Sequence, residues 1–112
     1  MPADLPLHWF HILLALADRP QHGQAITEEA LRHSEGRVQL WPGMLYTALR
    51  RMTDQGLVAE APMPEGFRPA GGKPKFYRLT PPGRRACAAE AERLARLVGT
   101  ARERRMVRGS RA

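Results

Sequence analysis

Apolar residues between Leu5 and Leu16 recur at helical spacing. Leu5, Trp9, Ile12, Leu13 and Leu16 share one face, and Leu7, Phe10 and Leu14 form a second stripe. Only His8, His11 and Ala15 leave a narrow, less apolar strip. The pattern predicts a helix from an Asp4 N-cap, with Pro6 in its first turn, to about Asp18. A helix apolar nearly all round is buried on two sides, and in a chain this small the second side is expected to face another subunit. Arg19-Pro20-Gln21-His22-Gly23 ends that helix and turns the chain. Residues 24–34 predict a shorter helix anchored by Ile26 and Leu31 and stopped by Gly36, and Val38-Gln39-Leu40 alternates as a short strand would. Pro42 and Gly43 then open a third helix. It sets Leu45, Ala48, Leu49 and Met52 on one face, with Gly43, Thr47 and Arg50, flanked by Tyr46 and Arg51, opposite, and Gly56 is its natural stop.

Beyond Gly56 the period changes. Residues 57–61 predict a strand, and Lys75-Phe76-Tyr77-Arg78-Leu79 a second one of alternating polarity. Between them, residues 62–74 carry four prolines and three glycines, so the two strands should form a hairpin with a long tip. Thr80 before Pro81 is an N-cap with proline at the first helical position, and opens a last helix running to at least Val98. There Cys87, Ala91, Leu94, Val98 and Ala101 repeat at 4-3-4-3 spacing, a seam of two heptads. Such a seam packs on a partner but is too short to sustain a coiled coil alone. Glu92 and Arg96 add a favourable i, i+4 pair on the opposite side.

Composition narrows what this order of elements can do. With 112 residues the chain holds one domain or one domain and an appendage. The single cysteine excludes a disulfide framework and a cysteine-rich zinc module. No apolar run approaches the roughly 18 residues of a membrane span, and no basic residue precedes the first apolar stretch, so a cytoplasmic protein is expected. Net charge is +7, which makes nucleic acid the first suspected partner. Sixteen arginines stand against two lysines, a bias that an arginine-rich proteome would also give, so placement matters more than number. Residues 1–35 carry −3. The excess sits in residues 66–89, with six bases and no acid, and in residues 99–112, with five arginines and one glutamate.

Three helices followed by a hairpin with a basic tip describe a winged helix-turn-helix, mainly α with a small β-hairpin, followed by a C-terminal dimerisation helix. The expected organisation is a DNA-binding domain over 4–80, the dimerisation helix over 81–105 and a basic, disordered tail over 106–112. The third helix would enter the major groove and the wing would lie on backbone or minor groove. Specific motifs carry a resemblance across residues 7–98. They are Leu13-Leu14-Ala15-Leu16 with His22-Gly23, Pro42-Gly43-Met44-Leu45-Tyr46-Thr47-Ala48-Leu49-Arg50-Arg51-Met52, Gly56-Leu57-Val58, and Lys75-Phe76-Tyr77-Arg78-Leu79-Thr80 with Pro82-Gly83. In these the chain resembles the PadR family of bacterial transcriptional regulators, in its small subclass with a single C-terminal helix. The resemblance implies a homodimeric repressor whose last helix builds the dimer. Two positions depart from the family pattern: Gln24 stands where a tyrosine is usual, and Met44 where a small hydroxyl residue is usual.

The DNA-contact candidates are Gln24, Gly43, Met44, Tyr46, Thr47, Arg50 and Arg51, with Lys73, Lys75 and Arg78 on the wing. Arginine can bond a guanine bidentately, tyrosine and threonine reach phosphates, and Met44 offers a thymine methyl an apolar contact. Lys75 and Arg78 fall on opposite faces of their strand, so one of them can be purely structural. The plain alternative for all ten is a solvated surface. The dimer candidates are Leu7, Phe10, Leu14, Cys87, Ala91, Leu94, Val98 and Ala101. Trp9, Phe10 and Leu14 could line a pocket at the dimer interface for a small aromatic or drug-like effector, which some relatives bind, although plain core and interface packing is the preferred explanation. No metal site or cofactor is expected: His8 and His11 lack a carboxylate at ligand spacing, and one thiol is too few for structural zinc. No enzyme is expected either, since Cys87 lies on an alanine-rich seam and neither a serine elbow nor a phosphate-cradling glycine loop is present. The rival reading is a winged-helix protein-interaction module that binds DNA only non-specifically.

Overall fold

The computed structural model describes residues 5–68 and 71–108. Its elements run α1 (Leu7–Ala15), β1 (Gln21–His22), α2 (Gly23–His33), α3 (Pro42–Asp54), β2 (Val58–Ala61), β3 (Phe76–Leu79) and α4 (Pro81–Glu103). The three strands form one antiparallel sheet in the order β1-β3-β2. Glu60 faces Tyr77 and Ala61 faces Phe76 across the hairpin, while Gln21 and His22 face the same two residues from the other side. This is the winged helix-turn-helix with an appended helix that the order of elements predicts.

Two boundaries differ from the sequence expectation. Residues 38–40 form no strand. The place beside β3 is taken by Gln21–His22, and Leu40 is instead a fully buried plug between α2 and α3. The Val38 amide donates to the Ser34 hydroxyl at 2.8 Å rather than to a neighbouring strand. The first helix is also shorter than 4–18. It ends at Ala15, where the Leu16 and Ala17 amides turn back to the carbonyls three residues before them. The expected Asp4 cap lies outside the described residues, as does the tail beyond Arg108.

The core collects Ile12, Leu13 and Leu16 from α1, Ile26 and Ala30 from α2, Leu45, Leu49 and Met52 from α3, and Val58 and Tyr77 from the sheet. These are the apolar stripes of the sequence, closed on one another. Gln21 is the buried polar exception. Its amide donates to the Ala15 carbonyl and to the Glu29 carboxylate, both at 2.7 Å, and so ties the end of α1 to α2. Thr80 joins the hairpin to α4. Its hydroxyl accepts from the Gly83 amide at 3.1 Å and donates to the Gly56 carbonyl at 2.5 Å. A side chain at Gly83 would collide with the Leu57 carbonyl, so that turn of α4 requires glycine.

α4 has little to pack on within its own chain. Of its 23 residues only Gly83 and Cys87 are buried, while Leu97 and Val98 stand open. The molecule is accordingly elongated, 53 × 31 × 25 Å. The second stripe of α1 is open too, with Leu7 61% and Leu14 39% exposed.

Candidate nucleic-acid interface

α3 presents its polar face to solvent because Leu45, Ala48, Leu49 and Met52 fix the opposite face in the core. Gly43, Met44, Tyr46, Thr47, Arg50 and Arg51 are all exposed. They divide between two hollows, one on each side of the helix. Toward the wing, Tyr46, Arg50, Thr53 and Asp54 meet Glu60, Lys73, Pro74, Lys75 and Tyr77 around a groove of about 590 Å³. Toward α1, Gly43, Met44, Thr47, Ala48 and Arg51 meet Pro6, His8 and Trp9 around a hollow of about 430 Å³.

The wing is aimed by its strand register. Lys75 and Tyr77 lie on the α3 side of β3, whereas Phe76 and Arg78 lie on the other. Phe76 stacks there with His22 and Phe67, at ring-centroid distances of 4.9 to 5.1 Å. Phe67 therefore pins the proline- and glycine-rich loop back onto the sheet, a role the loop's composition did not signal. Arg78 is not brought to α3 with the lysines. It lines a separate concavity with Asp18, Arg19 and Arg84. Arg84 there donates to the Ala17 carbonyl at 2.8 Å.

Two acids that sequence reasoning passed over sit in the wing groove, Asp54 and Glu60. Glu60 approaches Lys75 to 3.6 Å, with both side chains mostly in water. An exposed pair of this kind is worth about 0–1 kcal/mol and breaks readily for a better anion. Burial, then the charges of Glu60 and Tyr46, raises the Tyr77 phenol above its ordinary value, so it stays a neutral hydroxyl at the back of the groove.

Gln24 is exposed on the first turn of α2 and hydrogen-bonds Glu28. The neighbouring Gly23 is where the His-Gly and Leu-Tyr motifs meet. A Cβ on Gly23 would lie 2.5 Å from the Tyr46 hydroxyl oxygen, so glycine there lets the tyrosine lie over the start of α2. Trp41, also unremarked in the sequence, is 65% exposed immediately ahead of α3.

Of the residues expected in a dimer, Leu7, Leu14 and Val98 are exposed, and so is Ala91, while Phe10, Leu94 and Ala101 are half-buried. Cys87 is different: it packs in the core of its own chain. Burial pushes its thiol upward, with Arg84 opposing, which keeps it protonated and unreactive. The three candidate effector residues are not gathered at one hollow. Trp9 lines the one against α3, whereas Leu14 faces α2 beside His11 and His33. Among the described residues no cluster of three or more His, Cys, Asp or Glu side chains could hold a metal ion. No described helix is long and apolar enough to cross a membrane.

Comparison with known proteins agrees with this geometry. Residues 12–89 match the model of the Transcriptional regulator PadR-like family. The chain is 35% identical over 88 residues to the transcriptional regulator Rv3488 of Mycobacterium tuberculosis, covering 79% of this chain and 76% of that one. It is 41% identical over 88 residues to an uncharacterized 37.1 kDa protein in transposon TN4556 of Streptomyces fradiae, of which it spans only 23%. Among solved structures, a PadR family transcription regulator from Clostridium difficile superposes with a TM-score of 0.70 at 20% identity, covering 88% of this chain and 97% of that one. RosR of H. salinarum superposes with a TM-score of 0.62 at 26% identity, covering 80% and 73%.

Proposed function

The chain belongs to the PadR-like family of transcriptional regulators, and from that premise we propose that it is a homodimeric repressor of a roughly palindromic operator. Its family consists of DNA-binding regulators of transcription, not enzymes. In the proposed complex α3 enters a major groove, Arg50 reads a base edge, and Lys73 and Lys75 hold the flanking phosphates. The observation that carries this is the wing groove, where the exposed end of the Arg50 side of α3 and both lysines of the chain converge. Tyr46 over the start of α2 adds a hydroxyl beside the free amides of a helix N-terminus, a favourable seat for a phosphate. The open stripes on α1 and α4 are the surfaces by which two copies associate, which sets half-sites about one helical turn apart, roughly 34–36 Å, or a multiple of it. The place of action is the cytoplasm. A small aromatic or drug-like effector that relieves repression would fit the hollow beside Trp9.

The test is fluorescence anisotropy with the DNA just upstream of the chain's own gene against a scrambled duplex, at two salt concentrations. A specificity ratio of roughly 10³ or more supports a sequence-reading regulator. Equal and steeply salt-dependent binding to both duplexes, repeated with other promoters, refutes it. Within a specific complex, Arg50→Ala should cost about 1–3 kcal/mol on the cognate site alone, whereas Lys73→Ala should weaken all DNA similarly and flatten the salt slope.

A further inference from the structure

The entrance to α3 is built against local preference. Its N-cap is Trp41, which, like Pro6 of α1 and His22 of α2, offers its helix no side-chain hydrogen bond; what sets it apart is that it is a large apolar side chain left in water. The indole is 65% exposed, whereas the other tryptophan, Trp9, is buried and only 9% exposed. Three residues on, Met44 is 42% exposed. The two bracket the tip of the helix. Trp41 lines the groove toward α2 with Gln24, Gln39 and Tyr46, and Met44 lines the hollow toward α1 with Thr47 and Arg51. Two large apolar side chains left exposed at one helix tip break surface preference, which is expected where function demands it.

The surroundings narrow what covers this tip. Arg50 and Arg51 follow on the same helix, and Lys73 and Lys75 flank it from the wing, so the occupant is polyanionic. The N-terminal residues of a recognition helix are those that meet base edges. Neither an indole, which only donates, nor a thioether, which accepts weakly, can match a bidentate base pattern. The major groove offers one apolar feature, the 5-methyl group of thymine.

We propose that Trp41 and Met44 form an apolar tip that selects thymine by packing on its methyl group, so that one end of each half-site is read without hydrogen bonds. This rests on the DNA-reading role proposed above. From Met44 to Arg50 the helix rises about 9 Å. The methyl-read A·T pair should therefore lie within about three base pairs, at 3.4 Å each, of the base pair that Arg50 reads.

The experiment selects bound duplexes from a random pool with the wild-type chain, then replaces each thymine of the selected duplex by deoxyuridine. Affinities are measured by anisotropy for wild type, Trp41→Ala and Met44→Ala. Both side chains are exposed, and unchanged circular dichroism and melting confirm that the variants fold. Loss of one methyl contact should weaken wild-type binding about fourfold, and the same replacement should have no effect on the variant that lacks the contacting side chain. If no thymine methyl matters to the wild type, or if the loss persists undiminished in both variants, the apolar tip is refuted while DNA reading stands. A pool that enriches no sequence overturns DNA reading itself and the apolar tip with it.

Discussion

Thr80 is the joint between the DNA-reading body and α4, and its removal has a calculable cost. Its hydroxyl accepts from the Gly83 amide, satisfying one orphan donor of α4, and donates to the Gly56 carbonyl just beyond α3. Loss of an N-cap threonine costs about 1 kcal/mol. The Gly56 bond is exposed, so water can replace it and its loss adds only about 0.5 kcal/mol, the low end for a hydrogen bond. Thr80→Ala should therefore destabilise by about 1.5 kcal/mol. For a chain of 112 residues that lowers the melting midpoint by about 6 °C. Thr80→Ser keeps both bonds and should recover most of the loss. The assay is thermal and urea unfolding at one fixed protein concentration, since association would shift both midpoints. Were the serine and alanine variants to melt together, the hydroxyl would contribute nothing and the argument would fail; the threonine methyl would then be responsible.

Three further expectations concern the groove, the open stripes and pH. Glu60→Gln removes an acid from the wing groove and frees Lys75, so it should tighten binding to any duplex a few-fold in low salt and much less in high salt; anisotropy titrations showing no change would place Glu60 outside the complex. Leu97 is 56% exposed, and burying that half is worth about 1 kcal/mol per chain. Symmetry counts it twice, so Leu97→Ala should weaken self-association about 30-fold in sedimentation equilibrium, and an unaltered constant would remove Leu97 from the interface. His11 has a buried Nδ1 without a partner, and burial followed by the nearby His33 charge lowers its pKa from 6.5. The unfolded chain then binds the proton more tightly, so this contribution to stability is intact above pH 6.5 and is lost as pH falls from there through the lower folded-state pKa. A melting midpoint that declines from pH 7.5 to 5.5, and declines less in His11→Gln, is the expected result.

What the sequence discloses follows from which forces are local. α3 is legible because proline, glycine and a clean amphipathic face mark it within 13 residues. The α4 start is legible because Thr80 caps it in the expected way. β1 is not, because two residues carry no period, and only the bare edge of β3 makes Gln21–His22 a strand. The alternation of Val38-Gln39-Leu40 misleads for the complementary reason: it serves to sink Leu40 into the core, and nothing pairs with its backbone as a strand. Trp41 escapes notice because periodicity finds what is buried, and an exposed aromatic at a helix entrance belongs to no stripe.

The wing shows most sharply how tertiary register decides chemistry. Strand alternation says that Lys75 and Arg78 part company, but not which of them meets α3. That choice is made by Phe76, held on the far face between His22 and Phe67. Slipping β3 by one residue would carry Lys75 away from Arg50 and turn Arg78 toward it, exchanging the two cations while the composition stayed the same. The aromatic cluster that fixes the register is therefore as much a determinant of the interface as the lysines that line it. Phe67, from the loop whose prolines and glycines suggest only a tip, is the piece that closes it.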